Sequence, residues 1–589
     1  MSWRAAGPVG GRRARTRRIA TAKLVAIAVA ISAVCMLTLT AKAVITQADC
    51  SQKPVVVNVA ASTDIAPAVQ AAARAFNSQN FTADGRCAEI EVTGGDTTAE
   101  AGQIDGQAAL SGATPIDAWI PDSSLWVDVA RSYPIGAQNV QPTGKSVARS
   151  PLLLVTTPVV AASTHVFDAQ PGWEALLPPD YGGPPPDLHL AVDLPDPSAS
   201  AAGLATLIQV SRRLGMGAPA RSALTKFAFS VESTENFDSA TALQDFVHST
   251  QAPFDRRALT VATEQAVLAY DRANPRTPLA ARYPASSSPT LGSPELDYPF
   301  VLTTSASARV AAATEFSNYL QNSYCRSVIR YYGFRSPDGR PDTMPASAGL
   351  GSQPLQLASA VGPGEAAASL QVWQKLGLGS RDLVLTDVSA AMTQPAGNGT
   401  QTVMQLLNST SAIGLGLFPD TTSMGLWVMG RSQSAASPYT ELVSIGPLPA
   451  DYGVLSRRTQ LQQINQTLNA GNGVLALHDA ILAAYKTMTR TYKANYANAV
   501  LVLTSGVDSA PGDMPLSKLV TQLRGLYNSS RKVELVILMF GQRGNYAAIQ
   551  QIVAATNGVS FQISNPAEVG KVFIEAVSQR MCNQGCIAP

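Results

Sequence analysis

The sequence is poor in the residues from which protein metal sites are usually built. In 589 residues it has four histidines and six cysteines, and no two cysteines are spaced as C-x-x-C. Zinc sites need such ligands in clusters at short spacings. The histidines are instead scattered, at His165, His189, His248 and His478. The sequence therefore argues against a zinc site.

The common signatures of hydrolytic enzymes are missing as well. The sequence has no G-x-S-x-G, no H-E-x-x-H and no S-x-x-K accompanied by its partner motifs. The stretch TGKS at 143–146 resembles the end of a phosphate-binding loop, but Asn139 stands where that loop requires glycine. No two carboxylates form a convincing acid–base pair. We therefore predict a protein that is not an enzyme.

The charge distribution excludes another class of function. Charged residues make up 14% of the chain and apolar residues 46%, which is typical of a protein with real cores, and the length suits two to four domains. Residues 1–43 hold eight basic and no acidic residues, so the remainder has 35 basic against 41 acidic residues. A net negative body gives no electrostatic support for nucleic-acid binding.

The N-terminal segment predicts a membrane anchor. Residues 1–18 carry six arginines, and the 18 residues from Leu24 to Ala41 carry no charge. This fits a cytoplasmic basic segment followed by one transmembrane signal anchor over 19–45, with the rest of the chain outside a single-pass membrane protein. The alternative is a secreted protein, because AKA at 41–43 resembles a signal-peptide cleavage site.

Five cysteines lie in the exported part, where disulfides persist. Cys50 and Cys87 each precede an apolar strand-like run, so we predict a bridge between neighbouring strands. Cys582 and Cys586 are close enough to pair with each other, and either could instead pair with Cys325. Because five is odd, one thiol is left over.

The order of apolar and turn-forming stretches predicts an α/β protein. Strand-like and helix-like segments alternate from 54 to 131, which is typical of a parallel sheet with crossover helices, and a further α/β stretch follows to 337. Residues 338–372 are rich in Pro, Gly, Ala and Ser and predict a linker. Beyond it, five near-continuous apolar strands predict a doubly wound sheet covered on both faces.

The C-terminal series, 373–581, resembles a von Willebrand factor A (VWA) domain. The matching motifs are VLTDVSAAM in the first strand, GVLALHDAILAA in the central helix and LVLTSGVDS in the fourth strand. The resemblance implies a Rossmann-like doubly wound fold. Residues 582–589 would form a short tail.

In that family, Mg²⁺ is held by D-x-S-x-S, a threonine and an aspartate in a strand-end TDG. Here the five positions are occupied by Asp387, Ser389, Ala391, Leu475 and Ser505. Only Asp387 and Ser389 keep the pattern, and Ser505 replaces a carboxylate, so a site at Asp387, Ser389 and Ser505 is degenerate. Asp508 would compensate only in a rearranged site. We predict no bound metal and no other cofactor, with Asp387 capping the turn that follows it.

Residues 50–337 resemble the two-lobed, periplasmic-type solute-binding proteins, particularly those for oxyanions such as molybdate or phosphate. The resemblance rests on NVAASTDIAPAVQAAARAF, IDAWIPDSSLWVDVA, AVDLPDPSASAAGLATL and TEQAVLAYDRA. It implies that a solute binds between the lobes, at helix N-termini whose N–H groups attract anions.

Two Ser/Thr-rich stretches precede helices and are the first candidates for ligand contact. The predicted ligand-binding residues are Ser62, Thr63, Gly95, Asp122, Ser198, Ser200 and Tyr270. Serines and threonines before helices are also ordinary N-caps, and this alternative stays open. Asp64 would oppose a bare anion.

The expected architecture is a two-lobed periplasmic-binding-protein-like domain and a VWA domain, preceded by one transmembrane helix. Its predicted function is a binding and interaction protein of the bacterial cell envelope, acting by adhesion or assembly with a protein partner. The alternative is a substrate-binding receptor that captures a small solute or oxyanion for an ABC-type transporter. A weaker third option is a hydrolase with an unrecognised site. The first two differ in whether a small-molecule ligand is bound.

Overall fold

The computed structural model describes residues 53–107, 114–234, 239–251, 256–341, 350, 355–397, 400–431 and 438–581. The predicted basic segment, the predicted anchor at 19–45 and the predicted tail at 582–589 lie outside these residues. Within the described ranges, no helix is both long enough and apolar enough to cross a membrane.

Strands and helices alternate along most of the chain. The strands are β1 (Val55–Ser62), β2 (Thr82–Ala83), β3 (Arg86–Gly95), β4 (Ala118–Ile120), β5 (Gln141–Ser146), β6 (Ser150–Thr156), β7 (Ala191–Pro195), β8 (Val231–Thr234), β9 (Ala258–Thr263), β10 (Ala280–Arg282), β11 (Glu295–Leu296), β12 (Pro299–Leu302), β13 (Ser380–Asp387), β14 (Ser423–Met429), β15 (Thr440–Pro447), β16 (Asp451–Tyr452), β17 (Leu455–Ser456), β18 (Ala497–Thr504), β19 (Val533–Phe540) and β20 (Val559–Ile563). The helices are α1 (Ala66–Asn77), α2 (Thr97–Asp105), α3 (Ser124–Arg131), α4 (Pro134–Asn139), α5 (Pro158–Thr164), α6 (Ala201–Leu214), α7 (Ala218–Ser230), α8 (Ser239–Ser249), α9 (Glu264–Ala273), α10 (Ser307–Tyr319), α11 (Ser323–Tyr331), α12 (Glu365–Gly377), α13 (Val403–Leu417), α14 (Arg457–Thr467), α15 (Leu477–Arg490), α16 (Leu516–Leu526), α17 (Tyr546–Ala554) and α18 (Val569–Ser578).

The chain divides into two compact units. Unit 1 comprises residues up to Ser150 together with Asp297–Thr343, and unit 2 comprises Pro151–Leu296 together with the residues from Met344 onward. The chain therefore leaves unit 1 after β5 and returns to it just before β12.

Unit 1 is built on one mixed sheet with the strand order β2-β3-β1-β4-β12-β5. The central strand β1 pairs in parallel with β3 and with β4. Its sequence, VVVNVAAS, is rich in β-branched residues and is largely buried. Because parallel strands end at the same edge of a sheet, the residues after β1, β3 and β4 are brought together.

The first part of unit 2 has a second sheet with the order β10-β6-β9-β7-β8, and β11 pairs with β6. All seven residues of β6 are buried, which explains the long apolar run in its sequence. Strand β7 runs parallel to both β8 and β9. The carboxyl ends of these three strands therefore share one edge.

The last part of unit 2 is a six-stranded sheet with the order β15-β14-β13-β18-β19-β20. Only the β15 edge is antiparallel. In β13, Leu383 and Leu385 pack into a cluster with α15, α16 and α17, whereas Val384 packs into another cluster with α13 and α14. Alternate residues of one strand therefore meet helices on opposite faces, as the continuous apolar runs predicted.

Helix α12 (Glu365–Gly377) begins within the predicted linker, 338–372, extends beyond its end, and is attached to the preceding part of unit 2. The Arg212 guanidinium donates two hydrogen bonds of 2.8 Å to the carboxylate of Glu365, the first residue of α12. The C-terminal part of this stretch is therefore ordered.

The described cysteines differ in state. Cys87 is disulfide-bonded. Cys325 is buried and free, so it is not the partner of Cys582 or Cys586. Because Cys50, Cys582 and Cys586 lie outside the described residues, the predicted pairings stay predictions.

Candidate functional site

The four ligand residues predicted in unit 1 lie at one edge of its sheet. Ser62 ends β1 and is the register partner of Gly95, which ends β3. Thr63 follows Ser62, and Asp122 comes two residues after β4, the other neighbour of β1. Ser62 is buried, whereas the other three are partly exposed. The sequence pattern thus located a real convergence of chain segments.

Carboxylates of the chain occupy the start of each helix at this edge. Asp64 Oδ1 accepts from the Ile65 N–H at 2.8 Å, just before α1. Asp96 Oδ1 accepts from the Thr98 N–H at 2.8 Å in α2, and Asp297 Oδ1 accepts from the Ser124 N–H at 2.7 Å in α3. At each of these three helix starts, one N–H that could attract an external anion is therefore bonded to a carboxyl group of the chain.

The Ser62 hydroxyl is also committed. It donates to Asp64 Oδ1 at 2.7 Å, while the phenol of Tyr298 donates to the other oxygen of Asp64. Burial raises the pKa of Asp64 from its ordinary value, and these hydrogen bonds oppose the rise. Ser62 thus supports a carboxylate of the chain and offers no free proton to an oxyanion.

Glu100 is a site residue that the sequence did not reveal. Its Oε2 accepts from the Trp119 indole at 3.0 Å, and a Cβ at position 95 would lie 2.6 Å from its Oε1. A side chain at Gly95 would displace the carboxylate. Burial raises the pKa of Glu100 to about 7, although the Trp119 hydrogen bond lowers it. The edge therefore carries an acid that titrates near neutrality.

In unit 2, Ser198 and Ser200 lie between β7 and α6, as expected for residues at a strand-to-helix junction. Asp196 Oδ1 accepts from the Ser198 N–H at 2.7 Å, and Ser200 Oγ accepts from the Gly203 N–H at 3.4 Å. A cavity of about 20 Å³ lies beside Ser200 and is also lined by Thr260 and Thr263 of β9. The geometry here is that of an N-cap with space for about one water.

Tyr270 is not brought to this strand end. It lies in the second half of α9 and packs against an apolar cluster that includes Val267 and Leu279. Glu264, the first residue of α9, is nearer to the strand end, is buried, and accepts a hydrogen bond from the Tyr283 phenol. Tyr270 therefore contributes to packing, and Glu264 accepts an internal hydrogen bond.

The edge of the last sheet that carries the degenerate metal-site residues is closed by internal hydrogen bonds. Asp387 Oδ2 accepts from Thr504 Oγ1 at 3.1 Å, the Ser505 N–H at 3.0 Å and Ser505 Oγ at 2.8 Å. Its Oδ1 accepts from the Ser389 N–H at 2.9 Å, so the carboxylate caps the following turn. Asp387 has no exposed surface.

The remaining donors do not fit Mg²⁺. Ser389 Oγ is buried without a hydrogen-bond partner among the described residues, and Leu475 supplies no side-chain oxygen. A loop covers the strand end, since the Ala390 N–H donates to the Gly473 carbonyl at 3.0 Å. Mg²⁺ requires near-octahedral oxygen coordination and keeps several waters, which this buried hydroxyl pair and saturated carboxylate do not provide.

A second acidic group lies at the start of α15. Asp513 accepts from the backbone N–H groups of His478 and Asp479 at 2.9 and 3.0 Å, and the His478 ring Nδ1 donates to the Met514 carbonyl at 2.6 Å. Asp508, the predicted compensating acid, is 3.9 Å from that ring nitrogen. Burial raises the pKa values of Asp479 and Asp513. Since the ring nitrogen and both Asp513 oxygens are engaged, the arrangement is an elaborate helix cap.

Comparison with known families identifies the first half of the chain. Residues 57–335 match the family of bacterial extracellular solute-binding proteins, so this segment is a solute-binding-protein-like domain. Two uncharacterized proteins of Mycobacterium tuberculosis, Rv1836c of strain H37Rv and MT1884 of strain CDC 1551, are each 24% identical to the chain over 477 residues. The alignments cover 76% of this chain and 66% of each relative, so the chain spans less than two thirds of their length.

Solved structures of solute-binding proteins and of a von Willebrand factor type A protein are each similar to part of the chain. Iron-bound HitA from Pseudomonas aeruginosa is 14% identical, covers 55% of this chain and 100% of its own, and has a TM-score of 0.38. The sulfate-binding protein SubI from Mycobacterium tuberculosis H37Rv is 17% identical over 52% of this chain and 94% of its own, with a TM-score of 0.35. A von Willebrand factor type A protein from Catenulispora acidiphila is 17% identical over 35% of this chain and 43% of its own, with a TM-score of 0.26. These TM-scores are too low to carry any inference about function.

Proposed function

We propose that the chain is an extracellular substrate-binding receptor, supplying a membrane transporter with a small polar solute that is neutral or positively charged. The family match of residues 57–335 supports capture of a solute. The acids at the sheet edge of unit 1 support a solute that is neutral or positively charged. The position of these acids is the observation that carries the proposal. Binding, without chemical conversion, is the role of the site.

The charge of the site disfavours an oxyanion. Asp64, Asp96 and Asp297 each accept from one N–H at the start of one of the three helices, and Glu100 and Asp122 lie at the same edge. An anionic solute would meet these acids in a partly buried setting, where repulsion by each ionised carboxylate is weakly screened. Burial raises the pKa of Glu100 to about 7, so its negative charge adds to this repulsion as the pH rises through neutrality. A hydroxyl or ammonium group would instead donate to these carboxylates. The predicted oxyanion specificity is therefore not proposed.

The C-terminal part, residues 373–581, is proposed to be a metal-free VWA-like domain attached to the receptor. Its motifs, its strand order and the saturated Asp387 carboxylate support that assignment. We further propose that the N-terminal segment holds the receptor at the cell membrane. Adhesion and envelope assembly receive no support from the comparisons, so the receptor function replaces them.

Solute binding can be tested by thermal shift and calorimetry of the full chain. The panel contains sulfate, phosphate and molybdate, uncharged sugars, amino acids and spermidine. We expect a saturable response to a neutral or cationic compound and none to the oxyanions. Glu100→Ala and Asp122→Ala should weaken that binding at least tenfold, whereas Glu89→Ala, on an exposed part of β3, should not change it.

Two results would contradict the proposal. The first is a saturable oxyanion response that Ser62→Ala abolishes, which would restore the anion site. The second is the absence of any response at millimolar concentrations, which would reject a receptor function for these solutes.

A further inference from the structure

Two adjoining cavities lie within unit 2. The first, of about 150 Å³, lies between the β13–β14–β18–β19 face of the last sheet and helices α13, α14 and α18. The second, of about 290 Å³, lies between α7, α12 and the start of β13. Ser380, Phe418, Phe573 and Arg580 line both cavities, so the two are neighbours with a common wall.

The walls are mainly apolar. Val384, Leu426 and Leu501 line the first cavity from the sheet, and Trp373 and Leu376 line the second from α12. Apolar cavities of about 150 Å³ in proteins stay dry and accept small apolar molecules. An apolar ligand therefore matches the chemistry of the walls. A chain-like shape matches two neighbouring cavities better than a compact shape does.

Arg580 gives this space one specific polar feature. Its Nη1 donates to the Leu378 carbonyl at 3.2 Å, but its Nε is buried and has no hydrogen-bond partner among the described residues. The Ser411 hydroxyl, in the wall of the first cavity, is buried without a partner in the same sense. A buried donor without an acceptor is costly, so an oxygen acceptor from a ligand would stabilise the site.

The surrounding charges decide which head groups fit. The buried Asp382 carboxylate accepts from the Ser380 hydroxyl, and Glu534 is paired with Lys532 at 3.0 Å. Burial raises the pKa of Asp382 to about 6, opposed by the nearby charges of Arg580 and Arg381. These two acids and three bases leave no excess of negative charge, so the unpaired Nε–H of Arg580 favours a head group that accepts a hydrogen bond over one that only donates. An ammonium head group would leave that N–H unpaired.

We propose that these cavities bind an acyl chain, with its carbonyl or carboxylate oxygen accepting from Arg580 Nε and its hydrocarbon chain between the last sheet and α12–α13. The oxygen could belong to a free fatty acid or to a lipid ester, since both present the same chemistry. This site is independent of the solute-binding proposal, because none of its wall residues lies at the unit 1 edge.

The test uses the full chain in nanodiscs of a single phosphatidylcholine. The probe is dodecanoic acid with a photoreactive diazirine near the chain end, followed by mass-spectrometric mapping of the labelled peptides. Its methyl ester and a dodecyltrimethylammonium analogue carry the same diazirine. We expect labelling of peptides from α12, α13 or α18 by the acid or the ester, and at least fivefold less labelling by the ammonium analogue.

Two variants probe the site, each with a matched control. Gly377→Leu adds a side chain at the wall of the second cavity, where a Cβ meets no atom within 4 Å, and Arg580→Gln removes the Nε donor. Both should lower labelling of these peptides at least fivefold. Gly525→Leu, at another unobstructed helical glycine, and Arg524→Gln, beside it on α16, should leave labelling unchanged. Thermal unfolding of each variant identifies any that fails to fold.

Several outcomes would overturn the proposal. Equal labelling by all three probes, or labelling unaffected by either variant in a folded protein, would mean nonspecific partitioning. Labelling that arises only after truncation behind Met581 would assign the cavities to the chain's own tail, 582–589. By contrast, if the variants lower labelling by the acid but not by the ester, or by the ester but not by the acid, the result supports the site. It also identifies the acyl group as that of a free fatty acid or of a lipid ester, respectively.

Discussion

The indole Nε1 of Trp373 donates to Oδ1 of Asp196 at 3.0 Å, the same carboxylate oxygen that accepts from the Ser198 N–H at 2.7 Å. Trp373 belongs to α12, the helix that precedes the last sheet, and Asp196 belongs to the loop between β7 and α6. Oδ1 of Asp196 therefore stabilises the loop that carries Ser198 and also binds helix α12 to this loop.

Trp373→Phe should destabilise the protein through the loss of this bond. A hydrogen bond to a charged group contributes about 1.5–3 kcal/mol, so we expect a loss of about 2 kcal/mol in the free energy of unfolding. Trp126→Phe is the control, because the Trp126 indole N–H is buried without a partner among the described residues. Urea unfolding should show a clearly smaller loss for Trp126→Phe, and equal losses would mean that only ring volume matters.

Glu100 should make stability fall as the pH rises towards neutrality. Its pKa in the folded chain is about 7, above its ordinary value of 4.5, so the folded state binds the proton more tightly than the unfolded state. The stabilisation is fully present below pH 4.5 and is lost as the pH rises through 7. A shift of this size corresponds to about 3 kcal/mol.

Glu100→Gln should remove this dependence while keeping an oxygen that accepts from Trp119. The thermal unfolding midpoint of wild type should fall from pH 5 to pH 8 relative to that of Glu100→Gln, and the variant should be the more stable above pH 7. Glu89→Gln, on an exposed part of the same strand β3, should retain the wild-type slope. Parallel curves for Glu100→Gln and wild type would contradict a buried, titrating carboxylate.

Much of the fold could be predicted from local sequence, since strands and helices are set by nearby residues. The run at Leu383–Leu385 predicted a strand buried on both faces, and β13 has that environment. The Ser/Thr stretches at Ser62 and Ser200 were correctly placed at strand-to-helix junctions. Such features need only the period of apolar residues and the chemistry of helix starts.

The chemistry of the site was harder to predict because it depends on distant residues. Asp297 caps α3 from 173 positions away along the chain, and Trp119 bonds Glu100 from 19 positions away. Asp96, by contrast, directly precedes α2 and could have been identified as its N-cap. The sequence places Asp64 beside the Ser/Thr stretch, but only the structure shows that Ser62 and Tyr298 donate hydrogen bonds to its carboxyl group.

Asp387 and Ser389 should differ sharply when each is replaced by alanine. Asp387→Ala removes the acceptor of four hydrogen bonds and leaves buried donors unpaired, so we expect a loss of about 3–5 kcal/mol. Ser389→Ala removes a buried hydroxyl without a partner among the described residues and should be neutral or slightly stabilising. Chemical denaturation measures both.

The same two variants test the absence of a metal. We expect millimolar Mg²⁺ to leave the unfolding midpoint of wild type, Ser389→Ala and Asp387→Ala unchanged. A rise in the wild-type midpoint that either substitution abolishes would restore the metal site that the resemblance to VWA domains implies.

Cys325 should be inert to thiol reagents in the folded protein. It is fully buried in α11, and desolvation raises its pKa from the ordinary 9 to about 12, so its thiolate is rare at pH 8. The thiolate is the reactive form, and a rise of three pKa units lowers its amount by about 1000-fold. Iodoacetamide labelling, quantified on the peptide that contains Cys325, should therefore be undetectable at pH 8 until guanidinium unfolds the chain. Rapid labelling of the native protein would mean that α11 opens frequently.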